Sequence, residues 1–104
     1  MTGYEPDIKH RIWQVVASIP KGNVSTYGMA AQKAGLNRAA RRVGNALRGL
    51  PSNTRIPWHR VVNARGRISL PEGSAARDIQ KDRLENEGIH FKTNGTIDLR
   101  QYVW

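Results

Sequence analysis

The stretch STYGMAAQKAGLNRAARRVGNALRG, Ser25–Gly49, decides how this chain folds. Ser25 or Thr26 can cap a short helix from Tyr27 to about Ala34, because a hydroxyl there accepts one of the free amide hydrogens of the first turn. Gly35 closes that helix in the left-handed conformation that only glycine adopts cheaply. Asn37 can cap a second helix from Arg38 to about Gly49, with Val43, Leu47 and Leu50 as its inward stripe. Two helices joined through Gly35-Leu36-Asn37 form a helix-turn-helix. The second opens on Arg38, Ala39, Ala40, Arg41 and Arg42, small residues between three arginines, as suits a helix that approaches a polyanionic groove closely. A solvated charge face is the plainer alternative, weakened because the preceding helix does little to neutralise the cluster.

On the N-terminal side, Pro6 suits a helix start, and Ile8, Ile12, Val15, Val16 and Ile19 share one face at helical spacing. A helix from about Asp7 to Ile19 is expected, with Trp13 as a packing residue at the edge of its stripe, broken by Pro20-Lys21-Gly22-Asn23. On the C-terminal side comes Ile56-Pro57-Trp58-His59-Arg60-Val61-Val62. The proline fixes its own φ and pushes Ile56 toward an extended conformation, so indole, imidazole and guanidinium leave a stiff, non-helical segment in set directions. Such positions serve a site, or else Trp58 is a core aromatic, His59 a satisfied core histidine and Arg60 a solvated charge.

A turn through Asn63-Ala64-Arg65-Gly66 and a loop at Leu70-Pro71-Glu72-Gly73 lead to Ser74, which can cap a helix from Ala75 to Asn86 ended by Gly88. Ile89 and Phe91, then Ile97 and Leu99, alternate with polar residues around Asn94-Gly95, a type I′ turn signal; a C-terminal hairpin is expected. Tyr102, Val103 and Trp104 then dock apolar bulk on the body. The expected fold is one domain spanning 1–104, mainly α with small β elements, of winged helix-turn-helix type.

The chain has 104 residues, a net charge of +9 and no cysteine. The positive excess favours nucleic acid or an acidic membrane surface as partner. No apolar run approaches a bilayer span and no secretory leader opens the chain, so a soluble, cytoplasmic protein is expected, nucleoid-associated in a bacterium. The missing cysteine excludes disulfides, thiolate metal sites and a cysteine nucleophile. No metal or other cofactor is implied.

The segments IPKGNVSTYGMAAQKAG, AARRVGNALRG, IPWHRVVNARG and KDRLENEG, spread over about residues 5 to 88, resemble the DNA-binding and active-site domain of the O6-alkylguanine-DNA alkyltransferases. Those enzymes carry Pro-Cys-His-Arg-Val where this chain has Pro57-Trp58-His59-Arg60-Val61, and their cysteine takes the alkyl group from the lesion. With Trp58 there, the chain is similar to the alkyltransferase-like proteins, which bind alkylated DNA and do not repair it. Residues from Ile89 onward form an extension outside the match.

The resemblance implies the roles that follow. Trp58, Tyr27, His59 and Val61 line a lesion pocket. Tyr27 crowds the phosphate beside the target and helps rotate the nucleotide out, although a tyrosine at a helix start can equally be a half-buried aromatic. Arg41 is the finger that enters the base stack; a phosphate contact is its alternative, and Arg42 is a rival for either role. Ala39, Ala40 and Gly44 form the small face laid into the minor groove, with Thr26, Arg38, Arg42, Asn45 and Arg48 also on DNA. Arg60 and Glu87 hold the site together. In the enzymes the residues at His59 and Glu87 polarise the thiol through a bound water; here there is no thiol to activate.

Some features depart from the enzymes' pattern. Leu50 stands near the place of an asparagine that ties the recognition helix to the active-site loop. Leu70-Pro71-Glu72-Gly73 replaces a Gly-x-Tyr-Ser-like lip, where some alkyltransferase-like relatives set a basic residue against the lesion; Arg67 and Arg77 are the nearest substitutes. The resulting expectation is a non-enzymatic, monomeric sensor that flips O6-alkylguanine out of duplex DNA and hands it to other machinery, nucleotide excision repair by family inference. A general helix-turn-helix DNA-binding or regulatory module without base flipping is the alternative. An enzyme using Glu87 or His59 on water, as a glycosylase does, ranks behind both.

Overall fold

Asp7 opens the first helix by accepting a hydrogen bond from the His10 amide at 2.8 Å. The computed structural model describes residues 7–104, so the expected role of Pro6 lies outside the described residues. Helix α1 spans Ile8–Ala17 and buries Ile12 and Val16, one turn apart on the same face. It ends two residues before the expected Ile19. The Ile19 amide still reaches the Val16 carbonyl at 3.1 Å, so a tightened last turn keeps Ile19 inward.

Strand β1, Ser25–Thr26, runs directly into α2, Tyr27–Lys33. Of the two candidate caps Thr26 is the one used: its hydroxyl accepts from the Met29 amide at 3.1 Å. Gly35 sits at φ +81°, and the Leu36 amide donates back to the Ala31 carbonyl at 2.9 Å, the six-to-one bond of a Schellman ending. Arg11 of α1 also donates twice to the Ala34 carbonyl, satisfying the end of α2 with a side chain from another helix.

Helix α3 spans Ala40–Arg48 and corrects the expected start. Arg38 is left-handed at φ +48°, a conformation that cannot continue into a right-handed helix, and no side chain caps the helix from Asn37. The inward face is Ala39, Val43 and Ala46; Leu47 and Leu50, expected on that stripe, are only half-buried. Trp13 donates its indole N–H to the Ala46 carbonyl at 2.8 Å and ties α1 to α3, the packing role expected of it.

Strand β2, Val61–Val62, pairs in parallel with β1, Ser25 opposite Val61 and Thr26 opposite Val62. Successive strand residues face opposite ways, so this two-residue pair separates two cores. Val61 belongs to the cluster of α1, α2 and α3, whereas Val62 packs with Val24, Ile68, Leu84, Ile89, Ile97 and Tyr102.

Helix α4 has the expected bounds, Ala75–Asn86, with Ser74 as cap and Gly88 left-handed beyond its end. The C-terminal hairpin does not form strands. The Lys92 amide reaches the Thr96 carbonyl at 2.7 Å, but the next amide, that of Ile97, donates to the Gly66 carbonyl at 2.9 Å. Among the described residues only Arg38 and glycines have positive φ, so Asn94-Gly95 is not a type I′ turn. The chain closes in a short helix α5, Leu99–Tyr102, capped by Asp98, and the tail docks as expected: Val24 bonds to both Tyr102 and Trp104 through the backbone at 2.9 Å.

Candidate nucleic-acid interface

Pro57, at φ −79° and ψ 65°, makes an inverse γ-turn in which the Trp58 amide donates to the Ile56 carbonyl at 2.8 Å. Trp58–Arg60 then forms one 3-10 turn, where a non-helical segment was expected. With three residues per turn, successive side chains leave about 120° apart. The stretch therefore serves three different surroundings at once: Trp58 a cavity, His59 the interior, Arg60 the end of α1.

Half-buried Trp58 is one wall of a cavity of about 670 Å³, within the usual range for a small-molecule site. Tyr27, Ala40, Arg41, Gly44, Leu47 and Arg48 come to it from α2 and α3; Ser69, Leu70 and Pro71 from the loop; Ala76 and Gln80 from α4. The contribution of α3 is a stripe at i, i+4 and i+7, with Gly44 leaving room at its centre. Among the described residues the lining holds two arginines and no carboxylate. The Tyr27 and Ser69 hydroxyls meet at 2.8 Å.

Behind the cavity a charged network holds the 3-10 turn. Glu87 accepts from Arg60 Nε at 2.9 Å and Nη2 at 2.7 Å, and its Oε2 lies 2.9 Å from His59 Nε2. Arg60 also donates to the Ile19 carbonyl at 2.7 Å. Burial works to raise the Glu87 carboxyl, but hydrogen bonds from Arg60 and His59 overcome it and hold the group at about 2. Burial depresses His59, against the opposing pull of Glu87. A neutral imidazole beside a carboxylate puts its proton on Nε2, leaving buried Nδ1 as an acceptor with no partner among the described residues. Gln80 finishes the support by donating to the His59 and Val61 carbonyls at 3.1 and 2.9 Å.

Several expected site residues therefore come together, and several do not. Trp58, Tyr27, Arg41, Ala40, Gly44 and Arg48 meet at the cavity. Val61 and His59 do not line it: Val61 faces the core at 1% exposure, and His59 turns inward to Glu87. Ala39 is buried under α3 rather than on its groove face, and Thr26 is buried with its hydroxyl engaged in the α2 cap. Arg38, Arg42 and Asn45 are exposed outside the cavity, and Arg48 bonds to Asn45. Arg60 and Glu87 form the expected network. In the lip Pro71 reaches the cavity, whereas Glu72, Arg67 and Arg77 do not.

Ser69, Ala76 and Gln80 were not singled out from sequence, and Leu47, read there as part of the inward stripe, lines the cavity. Gln80 was open to discovery, since Ala76, Gln80 and Glu87 fall on one helical stripe; a lone serine in a loop offers no such signal.

Residues 7–89 match the family described as the DNA binding domain of 6-O-methylguanine DNA methyltransferase. The DNA base-flipping protein of Escherichia coli is 47% identical over 102 residues, covering 96% of this chain and 76% of that protein. Alkyltransferase-like protein 1 of Schizosaccharomyces pombe is 42% identical over 98 residues, covering 90% of this chain and 91% of that protein. This chain belongs to the alkyltransferase-like family.

As an alkyltransferase-like chain it is not an enzyme of the methyltransferase kind, since it has no cysteine to accept an alkyl group. The fold agrees with that of S. pombe Atl1, solved in complex with damaged DNA containing O6-carboxymethylguanine: TM-score 0.83, 42% identity, covering 93% of this chain and 94% of that one. Mycobacterium tuberculosis OGT in complex with DNA matches at TM-score 0.70 and 32% identity, over 81% of this chain and 51% of that one. Within the alkyltransferase-like family, then, Trp58 occupies the place of a reactive group in a site whose charged support remains assembled.

Proposed function

We propose that this chain recognises O6-alkylguanine in duplex DNA, turns the damaged base out of the helix into the Trp58 cavity, and leaves it chemically unchanged for other machinery to remove. The observation that carries the reading is Trp58 itself, an aromatic wall at the acceptor position, in a cavity shared with the arginine-bearing face of α3. The relatives support it: one is called a DNA base-flipping protein, and another is solved on DNA containing O6-carboxymethylguanine.

The chemistry is consistent. An indole is no nucleophile at neutral pH, but stacking a base on an aromatic ring contributes about 1–3 kcal/mol. That is comparable with the few kcal/mol needed to extrude a base, a cost lowest where pairing is already weakened by damage. Arg41 fills the space the base leaves. Arg42, Arg38 and Arg48 neutralise phosphates and supply salt-dependent, sequence-independent affinity. Entry of α3 through the minor groove reads little sequence, as suits a protein that scans for lesions. The same reading has the chain act as a monomer in the cytoplasm, on the nucleoid in a bacterium, and pass its lesion to nucleotide excision repair.

The test is a titration of matched duplexes carrying guanine or O6-methylguanine at one salt concentration, with a fluorescent base analogue beside the lesion. Tighter binding of the damaged duplex, a rise in analogue fluorescence and intact DNA afterwards are expected. Equal affinities would sink the sensor reading in favour of a general DNA-binding module, and free base or dealkylated guanine would restore an enzyme.

A further inference from the structure

Helix α4 presents Gln80, Arg83 and Glu87 toward the 3-10 turn at spacings of three and four residues, so they lie on one stripe. Gln80 holds the turn's carbonyls and Glu87 its two basic side chains. Arg83, between them, has its guanidinium carbon 5.5 Å from the centre of the Trp58 ring. Glu87 stands one turn beyond Arg83, where a helix would normally offer it a carboxylate partner. Both Glu87 oxygens are instead taken by Arg60 and His59, and among the described residues no carboxylate pairs with Arg83. The guanidinium is left for the indole, the aromatic ring that attracts a cation most strongly.

We infer that Arg83 is a positioning residue of the cavity: its guanidinium stacks on Trp58 and fixes the indole as the wall against which an extruded base packs. The inference rests on the reading of the cavity as a lesion pocket. Trp58 is only half-buried, so side-chain packing alone leaves it rotational freedom, and a wall that moves loses the entropy of ordering each time a base enters. Arg83 removes that freedom beforehand. It does not line the cavity, so it acts through the indole and not on the base.

The test compares Arg83→Gln and Arg83→Lys with the parent chain on duplexes carrying guanine or O6-methylguanine, with the indole signals followed by NMR in the free protein. Because Arg83 is exposed, both variants keep the parent melting temperature. In Arg83→Gln the affinity ratio for damaged over undamaged DNA falls roughly two- to five-fold, the size of an exposed cation–aromatic contact. The Trp58 indole signals shift and broaden while those of Trp13 and Trp104 stay in place. Arg83→Lys, which keeps a cation over the ring, retains most of the ratio. If both affinities fell together and the salt slope dropped by about one, Arg83 would be a phosphate contact and the inference overturned. A lower ratio with unmoved Trp58 signals would overturn it too, by placing Arg83 on the lesion. If the parent chain itself showed no lesion preference, the lesion-pocket reading would fall, and the NMR arm would still decide whether Arg83 holds the indole.

Discussion

Tyr27, the first residue of α2, and Ser69, in the loop before α4, join their hydroxyls at 2.8 Å across 42 residues of sequence. Both line the Trp58 cavity, so this bond links the helix-turn-helix to the lip at the place where a flipped base would enter. Tyr27→Phe keeps the ring and removes the bond. Since a net hydrogen bond contributes about 0.5–1.5 kcal/mol to folding, the melting temperature should fall by a few degrees, and lesion affinity should fall as well if the bond holds the loop in place for the base. Tyr27→Ala should lose more, because an aromatic wall of the cavity goes as well. A Tyr27→Phe variant with parental affinity would show the bond to be incidental.

Arg41 and Arg42 are adjacent in sequence and differ in place: Arg41 lines the cavity and Arg42 does not. Arg41→Ala should lower the preference for a damaged duplex and the flipped population. Arg42→Ala should weaken damaged and undamaged duplexes alike and reduce the salt slope by about one. Binding isotherms at several salt concentrations separate the two, and identical behaviour of both variants would remove Arg41 from the finger role.

The Glu87 network makes acid stability specific. Glu87 holds its charge down to about 2 in the folded chain, against 4.5 for the ordinary group, so as pH falls the unfolded chain takes up the proton first. Its contribution is complete above pH 4.5 and is lost as pH falls through 2. His59 is also lowered, from 6.5, so its contribution is present above that value and is lost on the way down through its depressed folded value. Both make acid destabilising. Glu87→Gln should cost about 3 kcal/mol at pH 7, a difference that shrinks below pH 4.5, as measured by urea unfolding across pH.

Gly66 is left-handed at φ +78°, and a Cβ there would stand 2.6 Å from the Ile97 carbonyl oxygen. Gly66→Ala combines a disfavoured backbone with a clash against backbone, so a loss of about 2–4 kcal/mol is expected in thermal or urea unfolding. A variant as stable as the parent would mean that the Asn63–Arg67 turn and the C-terminal segment are not coupled as the Gly66–Ile97 hydrogen bond indicates.

Helix α4 shows what was legible: a hydroxyl cap at Ser74 and a left-handed glycine at Gly88 each act within a few residues, and its bounds match expectation. Helix α3 and the C-terminal hairpin show what was not. Ala39 is drawn into the core and Arg38 turns left-handed to deliver it, so the helix starts two residues late. The Ile97 amide finds Gly66, far back in the chain, instead of a local strand partner.

The site divides along the same line. The amino-acid sequence by itself determined that no cysteine can receive an alkyl group, that a tryptophan stands between Pro57 and His59, where the family resemblance puts the acceptor, and that arginines crowd the start of α3. These are facts of residue identity and local order. Only the tertiary structure decided that Trp58 faces a cavity while His59 and Val61 turn away from it, that Arg41 and not Arg42 reaches that cavity, and that Arg83 is left to the indole because Arg60 and His59 occupy Glu87. The physical reason is that a 3-10 turn sends adjacent side chains in different directions, and which surroundings each one meets depends on helices packed from elsewhere in the chain.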